Sequence, residues 1–271
     1  MSIRRHIRTT LAAVDNRLGL REWLRQDGDG DRRAAEERAR RLRAADPFAS
    51  SIELQHPAPR TVIDIGGSHG QFAKEIFRLF PGATVYSFEP IPECYEELLS
   101  LSRTHPELHP MQLALSDREG KRDFQVSRFK DSSSFQEMLP AHVEAWPHTG
   151  IESRITVEMM RLDSVAPKLR LVPPVLAKLD IQGHELAAIE GGRETLSRCQ
   201  RVMVECNFKP LYAGQPSFTE LYEAMQSLGF LLDGFVGFLR HPRTRELLSA
   251  DVIFYQPSDS AASESEIKET R

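Results

Sequence analysis

The sequence predicts an α/β fold with a parallel sheet, and three stretches of the chain indicate it. Thr61 to Ile65 is a short apolar, β-branched run that ends in glycines. Gln71 to Phe80 then shows the apolar spacing of a helix, and Thr84 to Phe88 is a second strand-like run that ends at an acid, Glu89. A strand, a tight glycine turn and a helix that leads into another strand form the repeating unit of such a fold.

The glycine turn at residues 66–70 is the expected ligand site. Glycine has no Cβ and tolerates φ above zero, so backbone N–H groups can come close to a ligand. Open α/β sheets bind ligands at the carboxyl ends of their strands. A dinucleotide fingerprint requires G-x-G-x-x-G, but counting from Gly66 the third position is Ser68 and the sixth is Gln71. A nucleotide-cofactor oxidoreductase is therefore disfavoured and stays open as an alternative.

The pattern that fits the turn is Asp-x-Gly-x-x-x-Gly, formed by Asp64, Gly66 and Gly70, with Glu89 after the second strand. This arrangement resembles the first two motifs of class I methyltransferases that use S-adenosylmethionine (SAM). The resemblance implies that the glycine turn passes the amino acid part of SAM. It also implies that Glu89 accepts hydrogen bonds from both ribose hydroxyls, a task that suits an ionised carboxylate because it is an acceptor only.

Length and composition allow one main domain, since 271 residues with 40% hydrophobic content can bury one substantial core. A net charge of -4 and a pI near 6.2 argue against nucleic acid binding driven by overall charge. The three cysteines are widely spaced, which indicates neither a disulfide framework nor a zinc site. No apolar run approaches the roughly 20 residues of a membrane span, and the basic first residues lack a signal-peptide core. A cytoplasmic enzyme without a transmembrane segment is expected.

Four segments are predicted along the chain. Residues 1–46 are rich in arginine and helix formers and predict a helical arm, and residues 47–60 contain prolines and predict a linker. Residues 61–257 would form the methyltransferase domain, and residues 258–271 lack core-forming side chains and predict a disordered tail. The arm is interpreted as a cap over the substrate, a dimer contact, a contact with an anionic surface, or a solvated extension. A homodimer through the arm is one of these hypotheses.

Further elements follow from the apolar pattern. Helices are predicted over Pro92 to Ser102, Leu186 to Leu196 and Phe218 to Leu228, and strands over His109 to Leu115, Pro174 to Leu179, Arg201 to Cys206, Phe230 to Leu232 and Val252 to Tyr255, the last two as an antiparallel hairpin. Residues 121–161 depart from the βα repeat. Two added strands, Arg122 to Phe129 and Ile155 to Leu162, are expected to bracket a polar loop that holds a serine run. Specificity commonly resides in such loops, although a serine run is also a common flexible linker.

The span from about residue 60 to 256 resembles the FkbM family of SAM-dependent methyltransferases. The motifs that carry the resemblance are Val62-Ile63-Asp64-Ile65-Gly66, Gly70-Gln71-Phe72, Phe88-Glu89-Pro90, Leu113-Ala114-Leu115-Ser116-Asp117, Ser132 to Ser134, Arg161-Leu162-Asp163-Ser164, Lys178 to Glu185, Gly191-Gly192, Val204-Glu205 and Pro210-Leu211-Tyr212. The family implies a Rossmann-like class I methyltransferase fold, with a seven-stranded, mostly parallel sheet and helices on both faces. It implies O-methylation of a hydroxyl on a sugar, glycolipid or natural product. A catalytically inactive SAM- or sugar-binding module stays open as an alternative.

The resemblance and the predicted strand ends together give a set of candidate site residues. Cofactor binding is assigned to Asp64, Gly66, Gly67, Ser68, His69, Gly70, Phe88, Glu89, Pro90, Ala114, Leu115 and Asp180. Binding of a small hydroxylated substrate is assigned to Ser133, Ser134, Gln182, His184, Glu185, Asn207 and Tyr212. The catalytic candidates are Asp180, His184 and Glu205, with His69 as a further possible base.

Transfer of a methyl group to an alcohol requires in-line geometry and a base, because a protonated hydroxyl is a poor nucleophile. Asp180 ends the fourth strand, although Lys178 could make it a structural carboxylate. His184 titrates near neutral pH but could equally be a structural residue. Glu205 is a pocket carboxylate or the partner of an arginine, and Glu185 binds substrate or caps a helix N-terminus.

The three catalytic candidates could together hold a divalent cation that acidifies a hydroxyl. No spacing in the sequence demands such a site. Metal-free transfer from SAM, with S-adenosylhomocysteine (SAH) as the product, is expected.

Overall fold

The structure is a computed structural model that describes residues 58–257. The predicted arm, residues 47–57 of the predicted linker and the predicted tail lie outside the described residues. The strands are β1 (Thr61–Ile65), β2 (Thr84–Phe88), β3 (Leu108–Met111), β4 (Ala114–Leu115), β5 (Gly120–Ser127), β6 (Ile151–Met160), β7 (Val175–Leu179), β8 (Arg201–Asn207), β9 (Leu231–Arg240) and β10 (Leu247–Tyr255). The α-helices are α1 (Gln71–Leu79), α2 (Pro92–Ser102), α3 (Pro140–Ala145), α4 (Leu162–Val165), α5 (Glu185–Gly191), α6 (Arg193–Leu196) and α7 (Phe218–Ser227).

The main sheet has seven strands in the order β3-β2-β1-β7-β8-β10-β9. Its strands run parallel except for β10, which is antiparallel to both of its neighbours. The chain extends from β1 in one direction and from β7 in the other, and right-handed crossovers then place the helices on opposite faces. The predicted seven-stranded, mostly parallel sheet is confirmed. Its order reverses between β1 and β7, which is where such sheets bind ligands.

The central strands are apolar because both of their faces are covered. Every residue of β1 and of β7 is buried. One large cluster joins these strands to side chains from α5 and α7, including Ile189 and Met225. Burial of side chains of this size stabilises the sheet by about 1.5 to 3 kcal/mol each. The strand ends that carry the polar residues are therefore fixed by a packed core.

The predicted third strand, His109 to Leu115, is wrong as a single element. Its first part is β3, at the edge of the main sheet, where Pro110 is tolerated because one side of an edge strand has no ladder. The N–H of Leu113 then bonds the carbonyl of Met111 at 3.1 Å, and this tight turn separates β3 from β4. Strand β4 belongs to another sheet.

The second sheet confirms that residues 121–161 carry added strands. It has three strands in the order β4-β6-β5, with β5 and β6 antiparallel. The loop between β5 and β6 is more ordered than predicted. It contains α3 and two 3₁₀ turns, Lys130–Ser132 and Pro147–Thr149.

Two further elements differ from their predicted bounds. The helix predicted over Leu186 to Leu196 is divided into α5 and α6 at Gly192, whose ψ of 16° leaves the helical region. The final hairpin is confirmed but is longer than expected. In β9, Gly237 has a φ of 62°, and the register with β10 shifts nearby, so the strand lacks a regular apolar alternation.

Two findings concern the sequence-based exclusions. None of the helices within residues 58–257 is long and apolar enough to cross a membrane. The cysteines, Cys94, Cys199 and Cys206, are free thiols and are buried. Burial raises the pKa of the Cys199 thiol to about 12, so this side chain is inert packing at neutral pH.

Candidate active site

The polar candidates converge because they follow neighbouring parallel strands. The glycine turn follows β1, Glu89 follows β2, Asp180 follows β7 and Glu205 lies near the end of β8. The glycine turn and Asp180 are in direct contact, since the Asp180 N–H bonds the Ile65 carbonyl at 3.1 Å. A Cβ added to Gly66 would lie 2.1 Å from the Asp180 carbonyl oxygen. The backbone of the glycine turn therefore packs directly against the backbone of Asp180, and this contact is the junction between them.

The N–H groups of the glycine turn bond within the protein. Those of Gly66 and Gly67 both donate to the Phe88 carbonyl at 3.0 Å, and that of Gly70 donates to Gly67 at 2.9 Å. The N–H of Ser68 donates to Glu89 Oε2 at 2.8 Å. These four N–H groups therefore stabilise the turn itself. The glycines instead allow the turn to pack closely against Asp180 and against β2.

Glu89 is the acidic residue beside the turn. Its side chain is buried, with Oε1 accepting the Ile91 N–H and Oε2 accepting the Ser68 N–H, each at 2.8 Å. Burial raises the pKa of Glu89 to about 7, opposed by these two bonds and reinforced by the charges of Asp131 and Asp64. Each carboxylate oxygen has two acceptor sites, so each can take one more donor. Glu89 can therefore bind two further hydroxyl hydrogens.

Asp64 lies in β1, just before the glycine turn, and His69 of the turn contacts α2. Asp64 is buried in β1, and its Oδ2 accepts the Ser87 hydroxyl at 2.8 Å. His69 contacts α2 through both ring nitrogens, with Nδ1 at 3.0 Å from Glu97 and Nε2 at 3.9 Å from the Cys94 sulfur. These contacts hold His69 between the glycine turn and α2. Neither of them involves the acidic residues at the ends of β7 and β8.

The other residues assigned to the cofactor lie mainly in the core. Phe88 is buried, and its carbonyl anchors the glycine turn. Pro90, partly buried, follows Glu89. Ala114 and Leu115 are buried in β4, where Ala114 pairs with Met159.

Asp180 and Glu205 form an acid pair that Gln182 bridges. The Gln182 Nε2 donates to Asp180 Oδ1 at 2.8 Å and to Glu205 Oε2 at 2.6 Å, and the Lys178 ammonium lies 3.1 Å from Asp180 Oδ2. Burial acts to raise the Asp180 pKa, but Lys178 and the bonds from Gln182 and Glu205 outweigh it and lower that pKa. Burial and the Asp180 charge raise the pKa of Glu205 well above its usual range. The two pKa values are therefore shifted in opposite directions, and Asp180 is the acid of the pair that ionises first.

Asp180, the member of the pair with the lowered pKa, is partly exposed. The Asp180 side chain is 33% exposed, whereas the Lys178 side chain that neutralises it is 7% exposed. A ligand at the edge of the sheet can therefore reach the Asp180 carboxylate. This combination of charge and access fits a proton acceptor.

Asp251 is a further acid at this place that the sequence reading missed. It lies in β10 directly opposite Glu205 in β8. Burial raises the pKa of Asp251 to about 7, Asp180 adds to the rise, and Lys178 opposes it. The only sequence signal was a charged residue inside an otherwise apolar strand.

A second bridge links Gln182 to Tyr212. The Tyr212 hydroxyl, fully buried, lies 2.9 Å from Gln182 Oε1, 3.1 Å from the Ser132 carbonyl and 3.2 Å from His142 Nε2. Burial lowers the pKa of His142 to about 4, so its ring is neutral. Its Nδ1 lies 3.0 Å from the Thr149 hydroxyl. His142 could not be singled out from the sequence, because its partner Tyr212 lies in another loop.

The serine run holds loops together. The Ser134 hydroxyl donates to the Gln182 carbonyl at 2.7 Å, and the Ser133 hydroxyl accepts the Ser127 N–H at 3.0 Å. Both serines are buried. The alternative of a flexible linker is wrong, because Ser133 is bonded to β5 within the inserted segment and Ser134 joins that segment to the turn after β7.

His184 and Glu185 are buried at the start of α5. The Nε2 of His184 lies 3.0 Å from the Ser116 hydroxyl, its ring centroid lies 4.7 Å from that of Phe135, and burial lowers its pKa to about 4. The Glu185 carboxylate accepts N–H groups of Ile181 and Gly183 at 3.0 to 3.1 Å. These contacts make both residues supports of the turn after β7.

Asn207 ends β8, opposite Ser249, and is buried.

A metal ion would need several His, Cys, Asp or Glu side chains close together. Among the side chains of residues 58–257, no three His, Cys, Asp or Glu are grouped so that they could hold one.

Comparison with known proteins gives the family. A family model described as the methyltransferase FkbM domain matches residues 64–232. The 2-O-methyltransferase NoeI of Sinorhizobium fredii is 27% identical over 220 residues, which cover 78% of this chain and 86% of NoeI. The hexuronic acid methyltransferase AglP of Haloferax volcanii is 25% identical over 124 residues, which cover 45% of this chain and 47% of AglP.

Solved structures resemble the chain more distantly. Magnesium protoporphyrin IX methyltransferase from Synechocystis PCC 6803, with bound SAM, is 13% identical with a TM-score of 0.45, and the match covers 92% of this chain and 96% of that one. The family model spans more than half of the sequence. The chain therefore belongs to the FkbM family of SAM-dependent methyltransferases.

Proposed function

We propose that the enzyme methylates a hydroxyl group of a sugar or of another small hydroxylated metabolite, with Asp180 as the proton acceptor. The observation that carries this proposal is the acid pair. Asp180 has a lowered pKa and is partly exposed, while the pKa of Glu205 beside it is raised well above its usual range. One carboxylate ready to accept a proton at neutral pH is what an alcohol acceptor needs.

The residues around the glycine turn fit SAM. The ribose of SAM presents two neighbouring hydroxyl donors, and Glu89 has one acceptor site left on each oxygen. When bound, SAM supplies a methyl group on a positively charged sulfur. The cofactor role of Glu89 is supported by this match of donors and acceptors.

The roles of the chain's own residues follow from their contacts. Asp180 accepts the proton of the acceptor hydroxyl as the methyl group is transferred. Lys178 and Gln182 hold the Asp180 carboxylate in place and keep it ionised. The raised pKa of Glu205 favours its protonated form, which can donate a hydrogen bond to Asp180 without adding a second negative charge. In-line geometry then depends on how the surrounding loops orient the acceptor.

The acceptor class rests on the relatives. One is named a 2-O-methyltransferase and the other a hexuronic acid methyltransferase. The first name supports transfer to an oxygen, and the second supports a sugar acid as the acceptor. Glycolipids and hydroxylated natural products belong to the same chemical class of acceptor, since each offers an alcohol oxygen.

The test combines binding with turnover. Titration calorimetry with SAM and SAH, before and after treatment with a chelator, should show micromolar binding that the chelator leaves unchanged. A screen of hydroxylated sugars should then give methylated product from the wild-type protein. SAM binding without turnover on any hydroxylated acceptor would favour the inactive-module alternative, and enhanced NADH fluorescence without SAM binding would favour the oxidoreductase.

A further inference from the structure

The inserted segment reaches the cofactor turn through one residue. Asp131 lies in the 3₁₀ turn Lys130–Ser132 that follows β5, and its Oδ1 accepts a hydrogen bond from the Ser68 hydroxyl. The N–H of the same serine donates to Glu89 Oε2 at 2.8 Å. Ser68 therefore joins two carboxylates that are far apart in the sequence.

The backbone of Ser68 adopts a conformation that serine rarely adopts. Its φ of 43° lies in the left-handed region, where a Cβ is disfavoured. Such a conformation persists only when the surrounding structure holds it. The two hydrogen bonds of Ser68, one from the side chain and one from the backbone, are the contacts that hold it here.

Asp131 is itself held in place by bonds on both sides. Before it, the Lys130 ammonium lies 2.6 Å from Glu152 and 3.5 Å from Glu93. After it, the Ser133 N–H donates to the Lys130 carbonyl at 2.9 Å, which closes the turn around Asp131. A carboxylate carried on an anchored turn can fix the group that it binds.

From these contacts we propose that Asp131 is a positioning residue of the cofactor site, which holds the Ser68 N–H on Glu89 through the Ser68 hydroxyl. The inference rests on the proposed function of Glu89 as the acceptor for the ribose hydroxyls. It makes the inserted segment part of the cofactor site as well as a candidate substrate loop. Neither the family match nor the glycine motif assigns a role to Asp131.

Two variants separate the hydrogen bond from the charge. Ser68→Ala removes the hydroxyl and keeps the Asp131 charge, whereas Asp131→Asn removes the charge and keeps an oxygen that can accept the Ser68 hydroxyl. The charges that act on Glu89 are those of Asp131 and Asp64, and the N–H groups of Ser68 and Ile91 oppose them. The two substitutions therefore change the Glu89 pKa in opposite directions.

The experiment is titration calorimetry with SAM and SAH between pH 6 and pH 8.5. In the wild type, binding should strengthen as Glu89 ionises, with a midpoint near pH 7. Ser68→Ala should weaken both ligands about tenfold, the effect of one hydrogen bond to a charged group, and move the midpoint up. Asp131→Asn should change the affinity above pH 8 by less than about threefold and move the midpoint down, since only a partly screened charge is lost.

The control is Asp123→Asn, which removes another carboxylate of the inserted segment. Asp123 is exposed and accepts the Thr156 hydroxyl at 3.0 Å. This variant should leave both affinity and midpoint unchanged. Thermal unfolding of each variant checks the fold, and Ser68→Gly replaces Ser68→Ala if the alanine variant unfolds, because glycine accepts a positive φ.

The outcomes distinguish this inference from the proposed function. Midpoints that move in opposite directions would support the positioning role. Wild-type binding with unchanged midpoints in both variants, or with midpoints that move the same way, would overturn the inference and leave the proposed function standing. No binding of SAM or SAH by the wild type would overturn both.

Discussion

The Tyr212 hydroxyl donates to Gln182 Oε1 at 2.9 Å, and this bond fixes which end of the Gln182 amide faces the acid pair. The amide NH₂ then lies on the other side, where it reaches both Asp180 and Glu205. An inverted amide would place its oxygen against two acceptors. Tyr212, in the loop after β8, thus orients the group that organises the catalytic carboxylates.

Replacement of Tyr212 by phenylalanine should lower kcat without weakening SAM binding. It leaves the buried Gln182 Oε1 without its donor, which costs about 1 to 3 kcal/mol, or about tenfold to a hundredfold if the loss falls on the transition state. Initial rates with saturating SAM measure it. The matched control is Tyr222→Phe, since the Tyr222 hydroxyl bonds only the exposed Gln226 amide among its hydrogen-bond contacts in the described chain. Equal kcat values for the two variants would remove Tyr212 from the mechanism.

The acid pair gives a prediction with an internal control. Asp180→Asn should lower kcat about a hundredfold to ten-thousandfold, because it removes the proton acceptor. Glu205→Gln should cost less than about tenfold, because the raised pKa of Glu205 favours the protonated form that glutamine resembles. Both variants should bind SAM within a few-fold of the wild type by calorimetry. A larger loss in Glu205→Gln than in Asp180→Asn would exchange the roles of the two acids.

The pH dependence of SAM binding follows from Glu89. Its pKa is about 7, and hydroxyl donors favour the ionised form. Affinity should therefore be constant above about pH 8 and fall towards tenfold per pH unit below 7. Glu89→Gln should bind weakly and show no such dependence. Glu96→Gln, at an exposed position of α2, should keep the wild-type profile, and a flat profile in the wild type would mean that Glu89 does not meet the ligand.

The elements that the sequence predicted well are those whose apolar pattern is local. Two elements have the predicted bounds, the strand Thr61 to Ile65 and the helix Pro92 to Ser102. Each is one uninterrupted stretch of sequence whose apolar pattern already marks where it begins and ends. The third strand failed for a tertiary reason. The residues of β4 are as apolar as those of β3, and only the tight turn at Leu113 sends them to another sheet.

The candidate site shows the same division. Glu89 and Asp180 could be singled out because each directly follows a predictable strand. Asp251 and His142 could not, since Asp251 meets Glu205 only through the antiparallel pairing of β10, and His142 meets Tyr212 only through loop packing. The spacing of residues along the sequence does not predict contacts of this kind.

Three buried acids should make the protein less stable as the pH rises from 6.5 to 8. Glu89, Glu185 and Asp251 each have a pKa of about 7 in the folded state, above the ordinary value of 4.5 or 3.8. The folded protein therefore binds more protons than the unfolded chain in this range, and its stabilisation is lost as the pH rises through 7.

The buried histidines oppose this change only in part. His142 and His184 have pKa values of about 4 when folded, so their contribution changes mainly between pH 4 and 6.5. The expected loss is about 1 to 2 kcal/mol, measured as a fall in Tm by calorimetric or spectroscopic melting. Glu89→Gln should reduce the fall, because it removes one titrating group. A Tm that rises from pH 6.5 to 8 would contradict the raised pKa values of Glu89, Glu185 and Asp251.

The junction between the glycine turn and Asp180 can be tested with two matched substitutions. Gly66 and Gly82 both have a φ of 88°, but a Cβ at Gly66 would lie 2.1 Å from the Asp180 carbonyl oxygen, whereas a Cβ at Gly82 would meet nothing within 4 Å. Gly82→Ala should cost about 1 to 2 kcal/mol from the left-handed backbone alone. Gly66→Ala should cost at least about 3 kcal/mol, because the overlap adds to that strain and forces β1 and β7 apart. Denaturant unfolding measures both variants, and equal losses would show that the turn and Asp180 can separate freely.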